Sequence, residues 1–306
     1  MQPRLTFIIG PTASGKSSLA MQCAEKRGNV EIVSIDSAQV YQEMDVGTAK
    51  PTRAERAAVP HHLLDTISPE QSWSVTQYCA AFNAALAEIS ARGKTPLVVG
   101  GTMMYVSALL TGLSEIPAAQ IETREVISTE AAQYGWPHLH AELLRVDPAT
   151  AQRLPATDAQ RISRALEVFR ATGKPLSSFQ GARAPLLKTH APQLILLEPA
   201  DRAVLHARIA ERFALMLQSG FIEEVEDLRR RYSLHAALPS MRCVGYRQVW
   251  DFLDGSITKA QMREQGIAAT RQLAKRQLTW QRNQFKAFAP LVIDPNSRSM
   301  DLALFA

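Results

Sequence analysis

Little in this 306-residue chain points to a protein held together by disulfides, clipped by a structural metal or seated in a membrane. Its three cysteines, Cys23, Cys79 and Cys243, lie far apart without a C-x-x-C pair, which argues against both a disulfide framework and a zinc knuckle. All three are expected to be small buried hydrophobes. No apolar stretch approaches the roughly 20 residues needed to cross a bilayer. The N-terminal run MQPRLTFIIG carries no signal-peptide cleavage pattern, so a cytoplasmic protein with no membrane partner is expected. Internal repeats and low-complexity tracts are also missing.

What is present suits a large α/β protein. With 46% hydrophobic residues the chain can bury a sizeable core. The formal charge of +5 comes from 34 Lys and Arg against 29 Asp and Glu, a mildly basic balance compatible with a nucleic-acid partner but not requiring one. Its distribution says more. Between Arg145 and Lys188, eight basic residues face three acidic ones, so this segment alone carries an excess of +5.

Four short runs, Leu5 to Ile9, Glu31 to Ile35, Pro96 to Val99 and Gln193 to Leu197, are near-continuously apolar and β-branched, as strands of a parallel sheet buried on both faces would be. Val75 to Ala91 repeats apolar residues at helical spacing, and Leu63-Leu64-Asp65, just after His61 and His62, is a short strand candidate. The alternation breaks after about Leu113. From there to Pro192 no strand is evident, while Asp158 to Ala171 places Ile162, Leu166 and Phe169 on one helical face. The expected organisation is therefore an α/β core at 1–112, a helical insertion at 113–192, and a return to the core with C-terminal helices at 193–306. After Leu197 the pattern is wholly helical, with Asp201 as an N-cap and a long helix from about Thr258 to Phe288. Along that helix Arg271, Lys275, Arg282 and Lys286 form a basic flank, either solvated or facing a phosphate or nucleic acid.

The strongest motif is Gly10-Pro11-Thr12-Ala13-Ser14-Gly15-Lys16-Ser17, a G-x-x-x-x-G-K-[ST] phosphate loop between the first strand and a helix. Such loops bind nucleotides, ATP among them: backbone N–H groups converge on phosphate oxygens at the positive end of a helix. Lys16 neutralises charge and the Ser17 hydroxyl can hold Mg²⁺. The loop therefore implies a diphosphate or triphosphate without naming the reaction. Asp36 follows the second strand at the carboxyl edge of the sheet, where open α/β folds place ligands. A magnesium ligand, a general base and a plain helix cap remain open for it.

An ATPase strand such as Pro96 to Val99 would be expected to end in an acidic residue that organises Mg²⁺ and water. Here it ends in Gly100-Gly101-Thr102, which admits a substrate close to the backbone and offers a hydroxyl, although a tight turn with a threonine cap would read the same. The adjacent His61 and His62 point to opposite strand faces, which favours packing over joint metal ligation. Arg161 and Arg164, one helical turn apart, suit phosphate contacts or plain exposure. The segment Met241-Arg242-Cys243-Val244-Gly245-Tyr246-Arg247 could grip a backbone and stack on a base, or form a turn between helices.

In order along the chain, GPTASGKS, VSIDSAQVY, GTAKP at Gly47 to Pro51, VVGGTMMY, DAQRISRALEVF, MRCVGYRQ and KRQLTWQR at Lys275 to Arg282 closely resemble the bacterial tRNA dimethylallyltransferases, the tRNA isopentenyltransferase or IPP transferase family. The resemblance covers nearly the whole chain. It implies a P-loop NTPase, kinase-like parallel-sheet core whose loop binds the diphosphate of dimethylallyl diphosphate, and transfer of the five-carbon group to the exocyclic amine of the adenosine 3′ to the tRNA anticodon. It further implies a helical insertion that grips the anticodon stem-loop. By the same resemblance Asp36 is the general base, Lys16, Thr102 and Arg124 act around the reacting centre, and Asp36, Ser37, Ala38, Gln39, Thr102 and Arg124 contact tRNA. Gln160, Arg161, Ile162, Ser163 and Arg164, with Arg242, Cys243, Val244, Gly245, Tyr246 and Arg247, are the implied tRNA-binding segments. Mg²⁺ near Ser17 is the expected cofactor and a monomer the expected state. A small-molecule P-loop kinase and a non-catalytic RNA-binding switch are the competing readings.

Overall fold

The computed structural model describes residues 3–114, 116, 121–179, 181 and 183–296. Six strands, β1 (Arg4–Ile9), β2 (Val30–Ile35), β3 (His61–His62), β4 (Thr95–Gly100), β5 (Ala191–Leu197) and β6 (Leu291–Ile293), form one sheet in the order β3-β2-β4-β1-β5-β6. Every pairing is parallel. Parallel strands need crossover connections, and the chain supplies helices for them. These are α1 (Lys16–Arg27), α2 (Arg53–Ala58), α3 (Val75–Ala91) and α4 (Met103–Thr111). α3 has the bounds expected from its helical apolar spacing, and Ser74 and Gln77 close a capping box at its start.

Two compact units divide the chain, one built from Met1–Leu110 with Leu186–Ala306 and the other from Thr111–Pro185. In the first, the continuous apolar runs of the strands are buried as expected, with β2 buried at all six positions. Glu31 is the polar member of that strand. Burial works against its charge, but hydrogen bonds from Arg92 and His62, at 2.7 and 2.6 Å, hold its carboxyl below the usual range. Beyond β5 come α9 (Arg202–Gln218), α10 (Phe221–Arg231), α11 (Tyr246–Leu253) and α12 (Lys259–Gln284). Asp201 caps α9 by accepting from the Ala203 N–H at 2.7 Å. The four helices share a second core that includes Phe213, Phe221, Val249 and Met262.

The unit Thr111–Pro185 holds α5 (Ile121–Tyr134), α6 (Trp136–Val146), α7 (Pro148–Ala151) and α8 (Ala159–Thr172). Asp158 caps α8, and Ile162, Ala165 and Leu166 bury their side chains against Ile127, Leu139 and Leu143. No strand occurs among its described residues.

Two local expectations are corrected. The strand near the histidines is His61–His62 itself, because Leu63 and Asp65 take left-handed φ of 62° and 52° that an extended run cannot contain. The C-terminal region is not wholly helical: β6 pairs with β5 at the sheet edge. Its three residues are too short and too exposed to register as a buried run. Among the described residues no helix is long and apolar enough to cross a membrane.

Gly266 of α12 is a sharp test of this packing. Alanine there improves helix propensity by about 1 kcal/mol, but its Cβ would lie 2.2 Å from Cζ of the buried Phe213 ring. Overpacking of that kind costs about 1–3 kcal/mol and outweighs the gain. Gly266→Ala should therefore lower the thermal midpoint by roughly 2 °C; calorimetry showing an unchanged or raised midpoint would contradict the α9–α12 packing.

Candidate active site

At the carboxyl edge of the sheet, the ends of β1, β2 and β4 meet the C-terminal helices around a cavity of about 580 Å³. The phosphate loop runs from the end of β1 into α1, turning at Gly15 in a left-handed conformation, φ 87°. No side chain caps the start of α1, which leaves its first N–H groups for an anion. Thr12, Ala13, Lys16 and Ser17 line the cavity. Lys16 folds back so that Nζ donates to the Pro11 carbonyl at 2.7 Å.

Asp36 faces the loop from the end of β2. Its Oδ1 accepts from the Ala38 N–H at 2.8 Å and, more weakly, from the Gln39 N–H at 3.4 Å. One oxygen thus closes a turn and not a helix cap, because no helix begins there, while Oδ2 accepts no hydrogen bond among the described residues. Thr102 locks the same turn: its hydroxyl accepts from the Ser37 N–H at 2.9 Å. Gly100 is required here because a Cβ would lie 2.4 Å from the Ile35 carbonyl oxygen.

Three functional side chains that the sequence did not single out come from the helices. Arg212 of α9 and Arg276 and Gln277 of α12 line the cavity beside the loop. The basic flank named from sequence is offset from the face that counts: Arg282, for example, pairs with Glu198 at 2.6 Å. Gln277 accepts from the Thr12 N–H at 2.8 Å and donates to the Gly101 carbonyl at 2.9 Å.

The electrostatics are polarised. Burial, reinforced by the neighbouring Arg212 and opposed by Asp36, lowers the Lys16 pKa to about 7. Burial also works against the Arg212 charge, which Asp36 supports. Burial first, then Asp36, pushes the Cys243 thiol and the Tyr105 phenol each up to about 12, so both stay neutral. The expectation of a plain core cysteine is met by Cys23 and Cys79; Cys243 instead lines the cavity.

The GTAKP and MRCVGYR segments meet at Glu224 of α10, another residue without a local signal. Its carboxylate accepts from the N–H groups of Asp45, Val46 and Gly47 at 2.9, 2.6 and 3.1 Å and from the Tyr246 hydroxyl at 2.5 Å. Tyr246 is fully buried, so its ring packs on Phe221 and is not a platform for a base. Arg242, Cys243, Val244 and Gly245 line the cavity with Ser37, Ala38 and Gln39. The Gln39 amide is occupied inside the protein, accepting from the Ser34 hydroxyl and donating toward the Thr48 and Ala49 carbonyls. Arg247 is exposed on α11.

The remaining sequence candidates belong to the Thr111–Pro185 unit. Arg124 donates to Glu167 through Nε at 3.0 Å. Arg164 pairs with Glu167 at 3.5 Å, and the Ser163 hydroxyl donates to the same carboxylate at 3.0 Å. Arg161 pairs with Asp158 and Gln160 is exposed, whereas Ile162 is wholly buried, which makes its side chain a packing group and not a contact.

Comparison with known proteins extends these findings. The family model described as IPP transferase matches residues 39–284, and one described as isopentenyl transferase matches residues 3–70. The chain is 53% identical over 313 aligned residues to the tRNA dimethylallyltransferase of Ralstonia nicotianae, covering 99% of this chain and 97% of that relative. It is 54% identical to the tRNA dimethylallyltransferase of Burkholderia multivorans, covering 97% and 92%. Among solved structures, the tRNA isopentenylpyrophosphate transferase of Bacillus halodurans is 33% identical with a TM-score of 0.69, covering 99% of this chain and 94% of the other. A eukaryotic dimethylallyltransferase acting on tRNA is 24% identical with a TM-score of 0.79, covering 97% and 75%, and shares the fold.

The lowered Lys16 pKa has a measurable consequence. As pH rises through about 7, the ligand-free lysine loses its proton, whereas a bound polyphosphate favours the charged form. Binding of a non-reactive diphosphate monoester at pH 8 should therefore take up close to one proton, and affinity should fall about tenfold per pH unit above 7. Calorimetry in buffers of differing ionisation enthalpy reads this; no proton uptake would contradict it.

Proposed function

The chain belongs to the IPP transferase family, and from that membership we infer that it is a tRNA-modifying prenyl transferase, adding a dimethylallyl group to the exocyclic amine of the adenosine 3′ to the anticodon. We propose dimethylallyl diphosphate as the donor, with diphosphate as the leaving group. The observation that carries this assignment to particular residues is that the phosphate loop and Asp36 line one cavity with an apolar wall of Ile209, Phe213, Met216, Leu273 and Trp280. An anion cradle beside an apolar wall suits a diphosphate attached to a short hydrocarbon.

The chemistry assigns each group a task. As the bond between the allylic carbon and its oxygen breaks, negative charge collects on the diphosphate, where Lys16, Arg212 and the loop N–H groups oppose it. The adenine amine is a poor nucleophile because its lone pair is delocalised into the ring. Asp36 Oδ2 is open to accept its proton as the new carbon–nitrogen bond forms. No water needs activation, which accounts for the Gly100-Gly101-Thr102 ending of β4.

Mg²⁺ fits the donor set at the loop. The Ser17 hydroxyl is exposed in the cavity with no hydrogen bond among the described residues. Among those residues no group of three His, Cys, Asp or Glu could hold a metal. The cation would therefore take Ser17 and donor phosphate oxygens, a pattern usual for Mg²⁺, and would supply charge neutralisation to the leaving group. For the RNA, we assign backbone grip to Arg124, Gln160, Arg161 and Arg164 of the Thr111–Pro185 unit, which balances eight Lys and Arg against eight Asp and Glu overall, and to Arg242 and Arg247. Extruding the target base costs a few kcal/mol, which those contacts offset. A monomer in the cytoplasm remains our proposed state for an enzyme acting on tRNA.

Labelled dimethylallyl diphosphate and unmodified tRNA test the reading, with ATP and no prenyl donor as the second arm. Label should appear in tRNA; phosphate transfer from ATP without tRNA labelling would favour a kinase. Asp36→Asn keeps the Oδ1 acceptor for the turn and removes the base. It should slow transfer about 100- to 10,000-fold while RNA affinity changes by less than about threefold. A near-normal rate would remove Asp36 from the base role.

A further inference from the structure

We propose that Gln277 is a positioning residue for the transfer reaction, holding the phosphate loop at a fixed distance from the turn that carries Asp36. The inference rests on the function proposed above and goes beyond it to a cavity-lining residue whose amide is bonded at both ends to the protein backbone.

The loop and the β4 turn meet directly through one backbone bond, from the Gly10 N–H to the Gly100 carbonyl, at 3.4 Å. That length is weak for an N–H···O bond. Gln277 supplies the two shorter links, 2.8 Å to the Thr12 N–H and 2.9 Å to the Gly101 carbonyl. One planar amide therefore spans the gap, and its acceptor and donor ends face opposite partners.

From Gly101 the connection continues to the base. The N–H groups of Gly101 and Thr102 donate to the Ile35 carbonyl at 3.3 and 3.1 Å, one residue before Asp36. The Thr102 hydroxyl accepts from Ser37, and Asp36 Oδ1 accepts from Ala38. On its other side Gln277 is carried by a helix that cannot easily shift: Ala274 and Leu278 are buried, and Gln281 one turn on donates to the Leu197 carbonyl at 3.3 Å. The fit at Gly101 is an independent sign of a built contact. A Cβ there would sit 2.5 Å from Gln277 Nε2, so only glycine lets the amide approach.

A positioning role predicts a loss in the chemical step with little loss in binding, since a small misplacement of reacting groups lowers the rate steeply. Gln277→Leu should lower kcat at least fivefold, counted per folded active site, with KM for tRNA within threefold of wild type. Gln277→Glu keeps the acceptor for Thr12, loses the donor to Gly101 and adds charge beside the phosphates. It should also lower kcat at least fivefold, with a rise in KM confined to the donor, and it stands as the test if the leucine variant does not fold. A kcat per folded site less than fivefold below wild type in the folded variants, or a change expressed in KM alone, would overturn the proposal. Failure of the wild-type chain to prenylate tRNA in the same experiment would instead overturn the functional reading.

Discussion

Backbone contact at the ends of parallel strands is the constraint on which the site depends. β2 and β4 finish so close together that Gly100 has no space for a Cβ against the Ile35 carbonyl. The same carbonyl then accepts from both Gly101 and Thr102. Because side chains are excluded there, the phosphate loop, the Asp36 turn and the threonine hydroxyl can crowd around one small volume. Strand ends with ordinary side chains would push these groups apart by the width of a methyl group or more.

Within that volume, charge is distributed unevenly in a way that suits a leaving anion. Lys16, Arg212 and Arg276 line the cavity with Asp36 as the acid among them, and Tyr105 and Cys243 stay neutral nearby. The ligand-free loop satisfies part of its own demand, with Lys16 on the Pro11 carbonyl and the Thr12 N–H on Gln277. The diphosphate we propose would compete with the first of these contacts. A lysine with pKa about 7 makes that competition sensitive to pH in the physiological range.

Local patterns were legible in the sequence; long-range placements were not. The four buried strands, α3, the Asp201 cap and the loop from Gly10 to Ser17 each depend on neighbours a few residues away, so their signals are continuous apolar runs, helical apolar spacing, an N-cap residue and glycine spacing. β3 and β6 have two and three residues, below the length at which a run is distinguishable. The histidine strand is cut off by left-handed residues that no composition announces. At the site, Asp36, Thr102 and the Gly100-Gly101 pair follow strands and could be read from their position. Arg212, Gln277 and Glu224 could not, because each sits on an amphipathic helix whose rotation toward the sheet is decided by the core it packs on. Gln277 lay inside the KRQLTWQR segment, yet the basic flank drew attention to residues on a different face.

The central claim is that one cavity holds the diphosphate and the target adenine on opposite sides of the reacting carbon, and a structure with both substrates tests it most directly. Crystals grown with a non-reactive thiol analogue of dimethylallyl diphosphate and an anticodon stem-loop should show phosphate oxygens on Lys16 and the loop N–H groups. The adenine amine should lie about 3 Å from Asp36 Oδ2. A diphosphate bound away from Gly10 to Ser17, or an adenine amine out of reach of Asp36, would contradict the account.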